Sequence, residues 1–574
     1  MRNKIWFYKN RGCDFNELTA FSEKFGIPPV ISTVLFNRGI KDGEAARVFI
    51  NKPLSSVNNP MDLPDAAEAA ERIKKAILNK EKIVVYGDYD VDGITSTVLL
   101  YSYLKKKGAE VEYYIPDRVN EGYGINIMAI NKIARGGAKL MITVDCGITA
   151  VGEVEFARTQ NLDVIITDHH TCKDELPRAV AVVNPKRADS QYPFDALAGV
   201  GVVFKLVLAL AVLMGDSTKD VFLEYVELAA LGTIADVVSV SGENRVIIEH
   251  GLSVMRNGGN KGIRALLEVS GALLRPIDAS SVAFSVSPRL NAAGRIGSAD
   301  TAVRLLLSED IDETKKIADE LNDANRSRQE TEHLIFEEAM DKVMKDVNFD
   351  KKKVIVLWGE GWHHGVIGIV ASRISERFYK PCILISHENG VGKGSGRSIP
   401  GFNLFEALSE CEEHLTNFGG HSQAAGLGIN TGSLEDFEKA INKYADKVLS
   451  NDDLIPKVQI DCRIKPSTLS LGFAQALKKL EPYGMDNEKP VFSLLGAEIL
   501  AIDTVGTDKK HLRMKVVAEG NQVSAIGFSM SEYAAFFKKG DLVDIAFSVD
   551  INVYHGTESL QIFLKDIKKH TSTN

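Results

Sequence analysis

Three short apolar runs in the first half of the chain each end in an acidic residue, with helix-like stretches between them. Residues 83–86 lead into Gly87-Asp88-Tyr89-Asp90-Val91-Asp92-Gly93, 139–144 into Asp145-Cys146-Gly147, and 163–167 into Asp168-His169-His170. Such runs lack polar alternation, as strands covered on both faces do. Expected helices at 95–107, 125–135 and 151–159, with further strands at 110–115 and 180–183, complete a strand–helix rhythm. That rhythm predicts an α/β domain with a mostly parallel sheet. In such sheets ligands sit at the carboxyl ends of the strands, where the acids fall.

Asp88, Asp90 and Asp92 stand at alternate positions, so a continuing strand would turn them to one side. No lysine or arginine occurs from 83 to 104 to offset their mutual repulsion. A divalent cation relieves it, and oxygen ligands suit Mg²⁺ or Mn²⁺. A solvated acidic turn is the plainer reading of the same stretch. Asp145, His169 and His170 at neighbouring strand ends strengthen the metal reading. His169 and His170 are adjacent and point to opposite sides, so one is expected on metal and the other toward substrate or behind the ligands. Asp236 ends the apolar run 228–238; it is either a helix-end residue or a further ligand, because a lone acid is costly to bury.

Further on, residues 281–286 are expected as a strand, followed by the loop Ser287-Pro288-Arg289-Leu290-Asn291-Ala292-Ala293-Gly294-Arg295. Arg289, Asn291 and Arg295 suit an anionic substrate, and equally a surface loop. A long charged helix is expected over 311–347, with Arg326, Arg328 and Gln329 as candidates to line a groove. A second α/β unit begins at 353–357. Its Gly392-Lys393-Gly394-Ser395-Gly396-Arg397-Ser398 reads as a glycine-rich loop, either for phosphate or as a plain turn. It is not a GxxxxGK[ST] phosphate loop, so a nucleoside triphosphatase is not supported. From about 458 short strands follow one another, as in a small barrel of the OB-fold kind, with Lys509, Lys510, Arg513, Lys538 and Lys539 as a basic rim.

A chain of 574 residues exceeds one core. The expected division is an N-terminal helical segment at 1–60, a catalytic domain at 61–305, a connecting helix at 306–350, a second α/β domain at 351–455 and an OB-like barrel at 456–574. The formal net charge of -9 leaves nucleic-acid binding to local basic patches and metal. Six scattered cysteines without a CxxC pair give no disulfide framework or zinc site. With no apolar leader or membrane span, a cytoplasmic location is expected.

The order and spacing of Asp88-Tyr89-Asp90-Val91-Asp92-Gly93, Val144-Asp145-Cys146-Gly147, Asp168-His169-His170 and Gly232-Thr233-Ile234-Ala235-Asp236 resemble the DHH phosphoesterase superfamily. The Arg289 segment, Gly361-Trp362-His363-His364-Gly365-Val366-Ile367-Gly368, Gly394-Ser395-Gly396-Arg397-Ser398, Gly419-Gly420-His421 and Leu480-Glu481-Pro482-Tyr483-Gly484 narrow the resemblance to its RecJ family, with DHH, DHHA1 and OB domains. The resemblance implies a 5′→3′ exonuclease on single-stranded DNA, acting in recombination and repair. It implies two Mn²⁺ or Mg²⁺ ions on Asp90, Asp92, Asp145, His169 and Asp236, with Asp88 either in the same shell or only positioning Asp90. His170 would lie near the scissile phosphate. Arg118, Ser395 and Arg397 would hold a 5′ phosphate, and Arg289, Asn291, Arg295 and His421 the DNA. A helicase and a single-strand-binding protein are implied partners of a monomer. The segment Gly484-Met485-Asp486-Asn487-Glu488-Lys489-Pro490 departs from the family's Gly-x-Gly-Asn-Pro run, and the chain is too short for the extra C-terminal domain of some relatives. Two other functions share these residues: a DHH-type phosphodiesterase on short oligonucleotides or cyclic dinucleotides, which needs no barrel, and a non-catalytic DNA-binding scaffold, which needs no intact metal residues.

Overall fold

The computed structural model describes residues 4–12, 14–117, 121–122, 124–554 and 556–571. The chain divides into two compact units. One holds Asp14–Asn325 and Gln475–Lys489; the other holds residues up to 13, Arg326–Ala474 and the chain from Pro490 on. The first strand, β1 (Ile5–Tyr8), belongs to this second unit.

The first unit is built on a five-stranded parallel sheet of β2 (Ile83–Tyr86), β3 (Val111–Tyr114), β4 (Leu140–Val144), β5 (Asp163–Thr167) and β6 (Ala181–Val183), in the order β3-β2-β4-β5-β6. Alternate residues serve two cores, because a strand turns successive side chains to opposite faces. Ile83, Val85, Leu140, Ile142 and Ile165 pack into one, and Val84, Tyr86, Met141, Val164 and Ile166 into the other. The helix Gly199–Met214 is apolar almost all round and lies inside the larger core. Its one charge, Lys205, is fully buried and bonds Glu243 at 2.7 Å and the Asn58 carbonyl at 2.5 Å.

Residues 281–286 are not a strand. A helical turn at Ala279–Ser281 passes into a π turn at Val282–Val286 and then into the helix Ser287–Ile296. Pro288 explains the widened turn, since it has no N–H to donate and crowds the carbonyl one turn back. Val282, Val286 and Leu290, spaced by four, are the buried face. The expected loop carrying Arg289, Asn291 and Arg295 is therefore a helix.

The helix Ile311–Lys345 leads from the first unit into the second along the chain. Arg328 does not line an open groove: it is buried and bonds Glu332 at 2.7 Å. The second unit contains a mixed sheet of β7 (Ile355–Glu360), β8 (Cys382–Glu388), β9 (Val391–Arg397), β10 (Leu415–Gly420) and β11 (Ala424–Asn430), ordered β10-β11-β9-β8-β7. The stretch expected as a glycine-rich loop is strand β9, paired along its length with β8 and β11. Two-sided pairing overrides the poor strand propensity of its glycines.

Beyond β12 (Lys457–Ile460) and β13 (Cys462–Arg463) comes a closed barrel of β14 (Phe492–Val505), β15 (His511–Ala518), β16 (Asn521–Gly527), β17 (Leu542–Tyr554) and β18 (Thr557–Lys569). Pairings β14–β15–β16–β18–β17 close through β17 back onto β14. The N-terminal segment, expected helical, has helices at Phe15–Phe25, Pro29–Asn37 and Gly43–Asn51, but β1 pairs in parallel with β12. Trp6 Nε1 bonds Asp566 Oδ2 at 2.7 Å, a long-range partner that local propensity does not encode.

Candidate metal centre

The carboxyl ends of β2, β4 and β5 gather the acids and histidines at one place in the first unit. Asp90 caps the helix Val91–Lys106, its carboxylate accepting from the Gly93 amide at 3.0 Å. The helix thus starts four residues earlier than expected, and the strand geometry that would align Asp88, Asp90 and Asp92 does not persist. Asp92 turns away inside the first helical turn and is buried. It accepts from the Gly199 amide at 2.7 Å and the Val200 amide at 2.8 Å, at the N-terminus of Gly199–Met214. A helix start is a natural seat for a carboxylate. Asp145 leaves β4 with φ +60, and its side chain lies against Gly199, where a Cβ would stand 2.5 Å from Asp145 Oδ1. Only glycine lets this helix approach so near.

His169 Nε2 lies 3.2 Å from Asp145 Oδ1, 3.6 Å from Asp236 Oδ2 and 3.9 Å from Asp92 Oδ2. Asp236 closes the helix Thr218–Ala235. Three overlapping sets have ligand atoms within 4.8 Å of one another: Asp88–Asp90–Asp145, Asp92–His169–Asp236 and Asp145–His169–His170.

Burial, then repulsion from Asp236 and Asp90, holds the Asp92 carboxyl well above its usual range. Burial, then Asp92 and Asp90, does the same to Asp145. Asp236 is pushed up to about 7, by burial and then by Asp90. Burial and the neighbouring His170 push His169 down to about 3, so its imidazole is neutral. Asp145 Oδ1, Asp236 Oδ2 and His169 Nε2 are buried without a hydrogen-bond partner. Crowded carboxylates, a neutral imidazole and unpartnered lone pairs fit divalent cations, and an oxygen-rich set with one nitrogen suits Mn²⁺ or Mg²⁺.

Asp168 has a different place. Its carboxylate accepts from the amides of Ile148 at 2.9 Å, His169 at 2.7 Å and His170 at 3.0 Å, and from the His170 ring at 2.7 Å. It fixes both histidines from behind, a role the sequence left unassigned. Its position directly before two histidines was the available signal. The amides of Gly199 and Val200 were also missed; a small-residue run opening an apolar helix is the pattern that marks them. Cys146 is buried and burial raises its thiol, which gives no support to a nucleophilic role.

Arg289, Asn291 and Arg295 share the helix Ser287–Ile296, which lies against the acidic loop: a Cβ on Gly294 would stand 2.6 Å from the Tyr89 carbonyl. Arg289 donates to the Ser285 carbonyl at 2.6 Å and to Asn322 at 3.0 Å. Arg118 lies outside the described residues. Ser395, Arg397 and His421 are in the second unit. Arg397 Nη1 bonds Ser395 Oγ at 3.2 Å, and Gly368 of the helix His364–Phe378 abuts both side chains. His421 begins the turn between β10 and β11, three residues before Ala424, the partner of Arg397 in the sheet.

Three family profiles match in this order: the DHH family N-terminal domain over residues 82–233, the DHHA1 domain over 351–447 and the RecJ OB domain over 460–566. Fold and site therefore define a DHH-type protein with DHHA1 and OB domains. The single-stranded-DNA-specific exonuclease RecJ of Bacillus subtilis is 39% identical over 555 residues, covering 96% of this chain and 70% of that protein. The Escherichia coli exonuclease of the same name is 32% identical over 561 residues, covering 94% and 96%. The chain belongs to the RecJ family. The crystal structure of Thermus thermophilus RecJ in complex with Mn²⁺ superposes with a TM-score of 0.85 at 29% identity, over all of this chain and 81% of that one. The corresponding Mg²⁺ complex gives 0.77 over 98% and 78%.

Proposed function

We infer that the chain is an exonuclease that hydrolyses single-stranded DNA from the 5′ end, with Mn²⁺ or Mg²⁺ as cofactor, in DNA recombination and repair. One observation carries this reading. Two sets of ligand atoms, Asp88–Asp90–Asp145 and Asp92–His169–Asp236, meet through the 3.2 Å approach of Asp145 to His169. In a chain of this family, that arrangement supports two cation sites with Asp145 between them. Asp90, Asp92, Asp145, His169 and Asp236 would hold the ions, with Asp88 beside Asp90. A bound pair of such ions supplies Lewis acidity and an activated water at neutral pH.

The remaining residues orient and hold. Asp168 keeps the His170 ring on a fixed axis, facing the scissile phosphate. Arg289, Asn291 and Arg295 grip the sugar–phosphate backbone, as guanidinium forks do. Ser395 and Arg397, with Arg118, hold the 5′ phosphate, and His421 contacts the strand. The barrel, with Lys509, Lys510, Arg513, Lys538 and Lys539, binds single strands. We assign the catalytic domain to 61–305, the second α/β domain to 351–455 and the barrel domain to 456–574. Among the described residues no helix is long and apolar enough to cross a membrane. We place the protein in the cytoplasm as a monomer that works behind a helicase and beside a single-strand-binding protein.

Digestion of single strands labelled at either end, with Mn²⁺ and with EDTA, tests the reading. Mononucleotide release from the 5′ end alone, lost in EDTA and in Asp145→Ala, is expected. Release from the 3′ end, or an Asp145→Ala protein as fast as wild type, overturns it.

A further inference from the structure

Asp236 sits at a turn that its own residues do not favour. The next residue, Val237, has φ +59, a conformation that β-branched side chains avoid. The turn must be held from outside, and two contacts hold it. On one side is Asn244, fully buried in the first turn of the helix Gly242–Arg256. Its amide donates to the Ser239 carbonyl at 2.9 Å and to the Ala196 carbonyl at 2.6 Å. Ala196 is three residues before Gly199, whose N–H binds Asp92. One side chain thus ties the Asp236 turn to the loop that seats Asp92.

On the other side is the strap Gln475–Lys489. The Val240 amide donates to the Met485 carbonyl at 2.8 Å. Gly484 packs so closely that a Cβ there would stand 2.4 Å from Val240 Cγ2. The strap is itself anchored. Arg245, next to Asn244, donates to the carbonyls of Glu481 at 2.6 Å and Pro482 at 3.0 Å, and Arg38 donates to that of Glu488 at 2.6 Å.

We propose that Asn244 and Gly484 are positioning residues for Asp236, so that the strap sets the geometry of one of the two cation sites. The proposal rests on the reading of Asp92, His169 and Asp236 as ligands. The strap bonds and packs on the Asp236 side, whereas Asn244 also reaches the loop before Gly199, against which Asp145 lies, so the strap's effect falls chiefly on the site of Asp92, His169 and Asp236. A merely structural strap would loosen both sites together. Residues that orient metal ligands typically alter affinity about 10–100-fold when changed.

The test is Mn²⁺ titration of the full chain followed by electron paramagnetic resonance of free and bound ion. Wild type is expected to bind two ions. Gly484→Ala is expected to weaken one ion about tenfold or more and leave the other unchanged. The double variant Gly484→Ala/Val240→Ala removes the opposing methyl and is expected to restore two wild-type sites. Asn244→Asp, of equal size but without the paired donors, is expected to weaken that site more than the other, and serves if Gly484→Ala does not fold. Two wild-type sites in both Gly484→Ala and Asn244→Asp overturn the proposal, as does equal weakening of both ions without rescue. Two intact sites in Asp236→Asn overturn the ligand reading instead, which is a different result.

Discussion

The Asp168 carboxylate and the His170 imidazole meet at 2.7 Å, and Asp168 is buried while His170 reaches toward solvent. A carboxylate only accepts, so Nδ1 carries the proton and Nε2 is left as the acceptor when the ring is neutral.

Burial alone would lower the His170 pKa, but the bond to Asp168 outweighs it and the group titrates above its usual value. Asp168→Asn removes that charge. Turnover is expected to fall about 10–100-fold with a smaller change in KM for DNA. The pair's contribution to stability is fully present below the ordinary histidine pKa of about 6.5 and is lost as pH rises through the raised folded value. Melting curves should therefore show the gap between wild type and Asp168→Asn narrowing above neutral pH. A gap that widens with pH would refute this account.

The raised carboxyls make a second prediction of the same sign for the metal-free protein. Asp236 titrates at about 7 in the fold and near 3.8 when unfolded, and Asp92 and Asp145 are also raised. The folded state therefore holds extra protons in that window, and metal-free stability falls as pH rises through it. Cations compete with those protons, so affinity for Mn²⁺ rises with pH through about 7. Thermal melts in EDTA and in Mn²⁺ at pH 6 and pH 8 check both: the metal-induced rise in Tm should be larger at pH 8.

Arg397 and Ser395, bonded at 3.2 Å on β9, are the pair proposed to hold the 5′ phosphate. Charge-assisted bonds of this kind contribute about 1.5–3 kcal/mol, or about 10–150-fold in affinity. Arg397→Ala should raise KM for 5′-phosphorylated strands by about that factor and leave 5′-hydroxyl strands nearly unchanged. Equal losses on both substrates would assign Arg397 to general DNA binding.

Lys205 and Glu243 are a buried pair, with Tyr192 and Asn58 completing the Glu243 bonds. Lys205→Met leaves Glu243 charged and without its cation, a loss of about 3–5 kcal/mol. The first thermal transition should fall by several degrees. Adding Glu243→Gln, which can still meet Tyr192 and Asn58, should recover most of it. Calorimetry of the two variants checks this.

Much of the centre was legible because its signals are local. Apolar runs mark the strands, the strand–helix rhythm sets a parallel sheet, and the sheet rule puts Asp88, Asp90, Asp145, His169 and His170 at one edge. The errors came where distant chain decides. Residues 391–397 look like a loop until β8 and β11 pair with them on both sides. Residues 281–286 look like a strand on their own, and the four-residue spacing of Val282 and Val286 extends to Leu290 only once the helix runs on past Pro288. Lys205 is the one charge in an otherwise apolar helix, and only Glu243, distant in the chain, explains it.

The sequence by itself determined which acids and histidines stand at the strand ends and which edge of the sheet they occupy, since strand periodicity and helix caps depend on neighbours in the chain. The tertiary structure alone decided how the acids divide. Asp90 caps its helix, and Asp92 goes to the amides of Gly199 and Val200, more than a hundred residues away. It therefore joins His169 and Asp236 rather than Asp88 and Asp90. Asn244 and the strap act on Asp236 in the same way, through packing and hydrogen bonds between segments far apart in sequence, which no local pattern can encode.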